Sequence, residues 1–497
     1  MDEKVIEPQS QEGIKDVEVD IPANTEDYDN IVENKFLSAL NSPLSTFSID
    51  VDEAAYSNIR RYIQMGNIPP AGAVRIEEMI NYFDYNYPQP VNTDPFSVNT
   101  EISDCPWNPQ HRLVHIGLQG KNIPIDNLPA SNMVFLIDVS GSMDEYNKLP
   151  LVKASLNMLV DQLREKDKVA IVVYAGNAGL VLPSTNGSDK TKIKEAIDNL
   201  DAGGSTAGGE GIKLAYKIAK ENFIKEGNNR ILIATDGDFN VGASSDDELV
   251  RLIEKERKSG VFLSVLGYGM GNYKDNKMQQ LADKGNGNHS YIDNASEARK
   301  VLVNEFGSTL FTIAKDVKIQ VEFNPSKVKA YCLVGYENRM LNDVDFNDDT
   351  KDAGELGSGH TVTALYEIIP DGVVDGFTKS VDPLKYQAIE KRIATNTNEV
   401  MTIKLRYKKP DSDISSLITQ PVIDNHIAME KTSDNFRFSA AVAEFGLLLR
   451  SSEYKQQASY SQVNQLAKSA KGNDENGYRA EFISLVKAAS SFPLAKE

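Results

Sequence analysis

The sequence predicts an α/β chain in which a doubly wound domain is inserted into a β-sandwich built from the flanking segments, with helices at the C-terminal end. Three observations lead there. Residues 133–139 form an apolar run broken only by Asp138, as a central parallel strand buried on both faces requires, and strand-like and helical stretches then alternate to about residue 307. Strand-like runs appear on both sides of that domain, at 96–118 and 317–407, too few on either side to close a core alone, so they are expected to pair. Apolar residues then recur at helical spacing from Phe438 to Leu449.

The elements follow in order. Residues 1–44 are acidic and poor in large apolar groups, which reads as a solvated tether or a frayed terminus. Met1 is followed at once by charged residues, so no signal peptide is expected within the chain as it stands. Residues 45–130 form an N-terminal flank. It opens with Phe47, Ile49 and Val51 alternating as in a half-buried strand, and continues with one helix carrying Tyr56, Ile59 and Ile63 and a second carrying Ile76, Met79, Ile80 and Phe83. Two strands joined through Pro106-Trp107 complete it. Residues 131–307 form the alternating domain, with strands at 133–139, 169–174, 231–234, 261–266 and 289–292. Residues 308–432 are expected to be β-rich, pairing with 96–118, and residues 433–497 helical.

Composition narrows the function. A chain of 497 residues exceeds one ordinary core. Its formal net charge of −19 lacks the basic footprint that nucleic-acid phosphate demands, so no nucleic-acid partner is expected. No apolar run is long enough to make a transmembrane segment. Two cysteines, Cys105 and Cys332, are expected to be unpaired buried thiols rather than one long-range disulfide, and neither case fixes the compartment.

The chemistry gathers in three pieces. The first buried strand ends in Asp138-x-Ser140-x-Ser142, where a parallel strand hands over to a helix. Gly203-Gly204-Ser205-Thr206 offers a threonine on a glycine-rich loop before a helix, and Asp236 follows the strand at 231–234. If the sheet runs 3-2-1-4-5-6, its first and fourth strands are neighbours at the switch point, the crevice where such sheets bind ligands. Asp138, Ser140, Ser142, Thr206 and Asp236 then converge on it. Hard cations such as Mg²⁺ or Mn²⁺ take oxygen ligands and keep positions open for water or a partner. The three hydroxyls are neutral, so a bound ion keeps much of its charge, while the aspartates bind directly or hold the hydroxyls in place. Alone, Asp-x-Ser-x-Ser is also an ordinary helix cap. Three pieces in order, each at a strand end of one domain, make a metal site.

On these residues, the stretch from about 131 to 307 resembles a von Willebrand factor type A domain with a complete metal-ion-dependent adhesion site. The wider chain is similar to a bacterial YfbK-like family in which that domain is flanked by characteristic regions. The matching stretches are Phe47-Ser-Ile-Asp-Val-Asp52, Val74-Arg-Ile-Glu-Glu-Met-Ile-Asn-Tyr-Phe83, Pro106-Trp-Asn108, Thr235-Asp-Gly-Asp-Phe-Asn240, Gly359-His-Thr-Val-Thr-Ala-Leu-Tyr-Glu367 and Phe445-Gly-Leu-Leu-Leu-Arg450, with no departure at the five site positions. The resemblance implies a non-enzymatic cell-envelope protein, periplasmic or an outer-membrane lipoprotein, any N-terminal lipid anchor being expected to lie outside the chain as it stands. It also implies a protein partner that offers a carboxylate to the metal.

Two other readings fit the same residues: an assembly or regulatory factor recruiting an ATPase or another complex, and a metal-dependent hydrolase with Asp238 as its base. Weaker signals are discounted. Asp343, Asp345, Asn347 and Asp349 have calcium-loop spacing, but Asp348 stands where the glycine belongs and Gly354 where the glutamate belongs, so a solvated loop is expected. His111 and His115 are read as ordinary sheet residues, since no His-Glu-x-x-His or Gly-x-Ser-x-Gly occurs.

Overall fold

The computed structural model describes residues 25–204, 208–237, 246–305, 311–378 and 397–492. In the N-terminal flank, β1 (Leu37–Ser38) and β2 (Leu44–Ser48) precede helices α1 (Ala54–Gln64) and α2 (Ile76–Asn81), then the hairpin β3 (Phe96–Cys105) and β4 (Asn108–Gly120). The inserted domain follows as β5 (Ser131–Asp138), α3 (Leu149–Gln162), β6 (Lys168–Tyr174), β7 (Ala178–Asn186), α4 (Lys190–Asp198), α5 (Gly208–Glu221), β8 (Asn228–Thr235), α6 (Asp246–Arg257), β9 (Val261–Tyr268), α7 (Asp275–Lys284), β10 (His289–Ile292) and α8 (Ala295–Arg299). The C-terminal flank holds β11 (Thr312–Phe323), β12 (Val328–Val334), β13 (Gly354–Gly357), β14 (Thr361–Pro370), β15 (Glu399–Lys408), β16 (Ser415–Ile423), α9 (Asp434–Leu449), α10 (Tyr460–Ser469) and α11 (Tyr478–Ala489).

In the inserted domain the sheet order is β10-β9-β8-β5-β6-β7, the 3-2-1-4-5-6 arrangement read from its other edge. β5 explains its own unbroken hydrophobicity. Met133, Phe135 and Ile137 pack with α3 residues such as Val152 on one face, while Val134 and Leu136 pack with Ile212 and Ala215 of α5 on the other. One strand was not anticipated. β7 runs antiparallel to β6 at the sheet edge, where Gly179 and Pro183 are tolerated and one face meets solvent, so it carries no long apolar run.

The flanks form the expected sandwich. One sheet is β1-β12-β14-β4-β3; the other is β13-β11-β15-β16, with β2 also paired to β11. β4 before the insertion and β14 after it are antiparallel partners, from Arg112↔Ile368 to Gln119↔Thr361. The two sheets share a core that includes Phe47, Val114, Ile116, Ile319, Tyr366 and Ile403. Both crossings into the inserted domain are tied to one turn: the Gly120 N–H donates to the His360 carbonyl at 2.8 Å, and the Ser358 N–H to the Phe311 carbonyl at 2.9 Å. β13 and β16 were also unread; β16 is an edge strand of Ser, Thr and Gln interspersed with exposed apolar residues, without the clean alternation of a half-buried strand.

Two expectations need correction. The N-terminal helices and the C-terminal helices are not separate regions, because α1, α2 and α9–α11 share one core containing Tyr56, Met79, Phe83, Phe438, Phe445 and Phe482. The supposed tether, 1–44, is also not free throughout. Its residues 1–24 lie outside the described residues, but 25–44 pack on the body: Phe36 is buried, β1 pairs with β12, and Glu26 is bound by Arg61 at 2.8 Å. An acidic segment stays put where its carboxylates find buried cations. Among the described residues, no helix is long and apolar enough to cross a membrane, and both Cys105 and Cys332 are free and buried.

Candidate functional site

Asp138 closes β5 and Asp236 follows β8, its parallel neighbour, so topology brings the two carboxylates to the same strand ends. Both side chains are fully buried. The Ser140 N–H donates to Asp138 Oδ1 at 2.9 Å and the Thr235 hydroxyl to Oδ2 at 3.3 Å. A short 3₁₀ turn, Gly141–Asp144, carries Ser142 and is preceded by Ser140, and the two hydroxyl oxygens lie 3.1 Å apart. Burial pushes the Asp138 carboxyl up to about 6, with Asp236 adding to the rise and the Ser140 N–H opposing it. Two acids and two hydroxyls in one buried crevice make an oxygen-rich pocket, suited to a hard cation.

Thr206 and Asp238, both singled out in the sequence, lie outside the described residues. The loop leading to Thr206 is tied beside the serines: the Gly203 N–H donates to the Val139 carbonyl at 2.7 Å and the Gly141 N–H to the Gly204 carbonyl at 3.1 Å.

Sequence reading missed two members of the site. Lys148, immediately before α3, reaches back so that its Nζ donates to Asp236 Oδ2 at 3.1 Å and to the Ser142 carbonyl at 2.9 Å. Asn272, on the loop after β9, donates to the same Asp236 oxygen at 3.0 Å. Glycines make room for this packing. Gly269 has φ +79°, and a Cβ there would meet Lys148 Cε at 2.5 Å; Gly237 has φ +90°, and its Cβ would meet the Lys274 nitrogen at 2.7 Å. The only hint in the sequence was a lysine six residues beyond Ser142.

The Asn272 loop is strapped from outside by the segment read as tether. Thr25 N–H donates to the Gly271 carbonyl at 2.7 Å, Gly271 N–H to Glu26 Oε1 at 2.8 Å, and Asp27 N–H to the Tyr273 carbonyl at 3.1 Å. Burial would raise the Glu26 carboxyl, but the hydrogen bond and charge of Arg61 hold it at about 2.

The discounted signals are resolved elsewhere. In the acidic loop the oxygens a calcium ion would need already have donors: Asp343 Oδ1 accepts from the Thr46 hydroxyl at 2.8 Å, Asp345 Oδ2 from the Asn342 amide at 3.0 Å, Asn347 Oδ1 from Arg406 at 3.0 Å and the Asp349 carbonyl from Lys408 Nζ at 2.7 Å. His115 hydrogen-bonds the Tyr87 hydroxyl at 2.8 Å, and burial holds it down at about 3; His111 faces the Glu367 carboxylate. Among the described residues, no three His, Cys, Asp or Glu side chains gather as a metal centre. A cation at the strand ends would therefore depend on the hydroxyls.

This fold and this placement of polar groups define a class, and comparison with known proteins agrees. The model of the von Willebrand factor type A domain matches residues 132–305, a model described as von Willebrand factor matches 22–115, and one described as the C-terminal region of the uncharacterized protein YfbK matches 308–492. The uncharacterized protein YfbK of Escherichia coli (strain K12) is 45% identical over 470 residues, covering 93% of this chain and 80% of that relative. The chain belongs to the YfbK family of von Willebrand A proteins. More distantly, the bovine (Bos taurus) inter-alpha-trypsin inhibitor heavy chain H3 is 26% identical over 179 residues, 34% of this chain and 20% of that one. Among solved structures, a von Willebrand factor type A protein from Catenulispora acidiphila is similar over 78% of this chain and 89% of its own, at 15% identity and a TM-score of 0.42.

Proposed function

We propose that this protein is a non-enzymatic, metal-dependent interaction protein of the cell envelope. Asp138, Ser140, Ser142, Thr206 and Asp236 hold Mg²⁺ or Mn²⁺, and a partner protein completes the shell with an Asp or Glu carboxylate. The observation that carries this reading is the meeting of Asp138 and Asp236 with the facing hydroxyls of Ser140 and Ser142 in one crevice at the strand-order switch point. Von Willebrand A domains commonly mediate metal-dependent protein–protein contacts and are generally not enzymes, which supports it. Three of the five ligands are neutral hydroxyls, so a loaded ion remains an electrophile. Long-range repulsion from a net charge of −19 is screened beyond about 8–10 Å, and at contact the ion's local charge outweighs it. The small oxygen cradle suits octahedral Mg²⁺ or Mn²⁺ better than Ca²⁺.

Calorimetric titration with Mg²⁺ and Mn²⁺, wild type against Asp138→Ala, tests the site. Metal should bind the wild type and not the variant, while the variant keeps its fold, because a buried carboxylate without a cation is itself a cost. Equal heats from both proteins, or no binding by the wild type at about millimolar metal, overturns the reading. Fractionation of cells expressing the protein from its native gene should recover it with the envelope; recovery wholly in the cytosol removes that part.

A further inference from the structure

The crevice contains a cation of the protein's own. Resting on the adhesion-site reading above, we propose that Lys148 is a built-in counter-charge that divides the site's affinity between metal and partner. By neutralising Asp236 it loosens the grip on a divalent cation, and it leaves the loaded site with net positive charge for a partner carboxylate.

The geometry shows a built place for this ammonium. Lys148 is 3% exposed, and its three N–H groups meet the Ser142 carbonyl at 2.9 Å, Asp236 Oδ2 at 3.1 Å and Asn272 Oδ1 at 3.4 Å. A buried ammonium is tolerated only when paired and hydrogen-bonded, which ties its position to Asp236. Its stem crosses Gly269, where a side chain would collide. Glu145 also faces the ammonium, at 3.7 Å, but its side chain is 58% exposed and solvent screens it.

Counting charges gives the consequence. Asp138 and Asp236 bring two negative charges and Lys148 one positive, so the crevice is singly negative before metal. A divalent ion makes it singly positive, and one partner carboxylate brings it to neutrality. Without Lys148, the metal alone neutralises the two aspartates, and an arriving carboxylate has no net charge to meet. Between groups this buried such differences count for more than at the surface. Lys148 therefore opposes metal binding and favours the carboxylate that completes the shell.

The test is a titration of Mn²⁺ alone into wild type, Lys148→Gln, Lys148→Met and Lys148→Arg, followed by acetate added to the loaded proteins and read through water-proton relaxation of the bound Mn²⁺. Both neutral variants should bind Mn²⁺ roughly tenfold to a hundredfold more tightly than the wild type, and Lys148→Arg should stay near it. Acetate should displace water from the wild-type ion at lower concentration than from the neutral variants. A purely structural lysine would give the opposite sign, because a loosened crevice binds metal more weakly; Lys148→Gln keeps a donor for Asp236, so a folded neutral variant remains if Lys148→Met fails. Wild type that binds Mn²⁺ while the neutral variants bind it equally or less well overturns this inference and leaves the adhesion site standing. Absence of binding in all four overturns both.

Discussion

Arg60 of α1 holds Glu297 of α8 at 2.8 Å, with both side chains no more than 2% exposed. The same guanidinium also meets Asp293, the Tyr82 hydroxyl at 3.1 Å and Glu481 of α11 at 3.1 Å. One residue of the N-terminal flank thus welds the inserted domain to the C-terminal helices. Burial pushes the Asp293 carboxyl up to about 6 even with Arg60 pulling it down. Arg60→Met should destabilise the protein by about 3–5 kcal/mol, because it strands two buried carboxylates. Urea unfolding measures the loss, and adding Glu297→Gln should restore part of it; no recovery in the double variant would mean that Arg60 acts through packing alone.

Glu444, buried on α9, accepts the Ser459 N–H at 3.0 Å. Burial pushes its carboxyl up from 4.5 to about 7, against the pull of that hydrogen bond. An acid whose folded value is raised binds its proton more tightly in the folded state. Stability is therefore greatest below the unfolded value, falls as pH rises from about 4.5 to about 7, and is flat above. Glu444→Gln should gain about 1–3 kcal/mol near pH 8 and little near pH 5. Urea midpoints at the two pH values decide it, and an equal loss at both would show the carboxylate to be a support.

The strap at residues 25–27 depends on Glu26 and Arg61. Arg61→Ala should speed hydrogen exchange at Gly271 and Asp27 while leaving β5 and β8 protected, since only the edge contacts are cut. Unchanged exchange at both amides would mean that the segment is held without this pair.

Residues 308–492 expressed alone should not melt cooperatively. β14 would lack β4, and β11 would lack β2, leaving central strands of both sheets with open edges. Thermal melting by circular dichroism tests this; a sharp transition would show that the C-terminal flank closes its own core.

Legibility followed burial. β5 could be read because both its faces are covered, so residues 133–137 are all apolar, and the aspartates could be placed because a strand-order switch puts two strand ends side by side. β7 and β16 escaped notice because edge strands bury one face at most and tolerate Gly, Pro, Ser and Thr. The acidic N-terminal segment misled for a related reason. Its charges look solvated until Arg61, tens of residues away in the chain, is found against Glu26.

The sequence by itself determined the class of the inserted domain, the motif at its strand ends and the strand-rich character of both flanks, because these rest on local spacing and on hydrophobic period. Tertiary structure alone decided which distant segments share a core, that residues 25–27 strap the Asn272 loop, and that Lys148 returns to Asp236 across 88 residues of chain. Those pairings depend on long-range burial, where a charge is stable only beside its partner, and no local pattern records which partner that is.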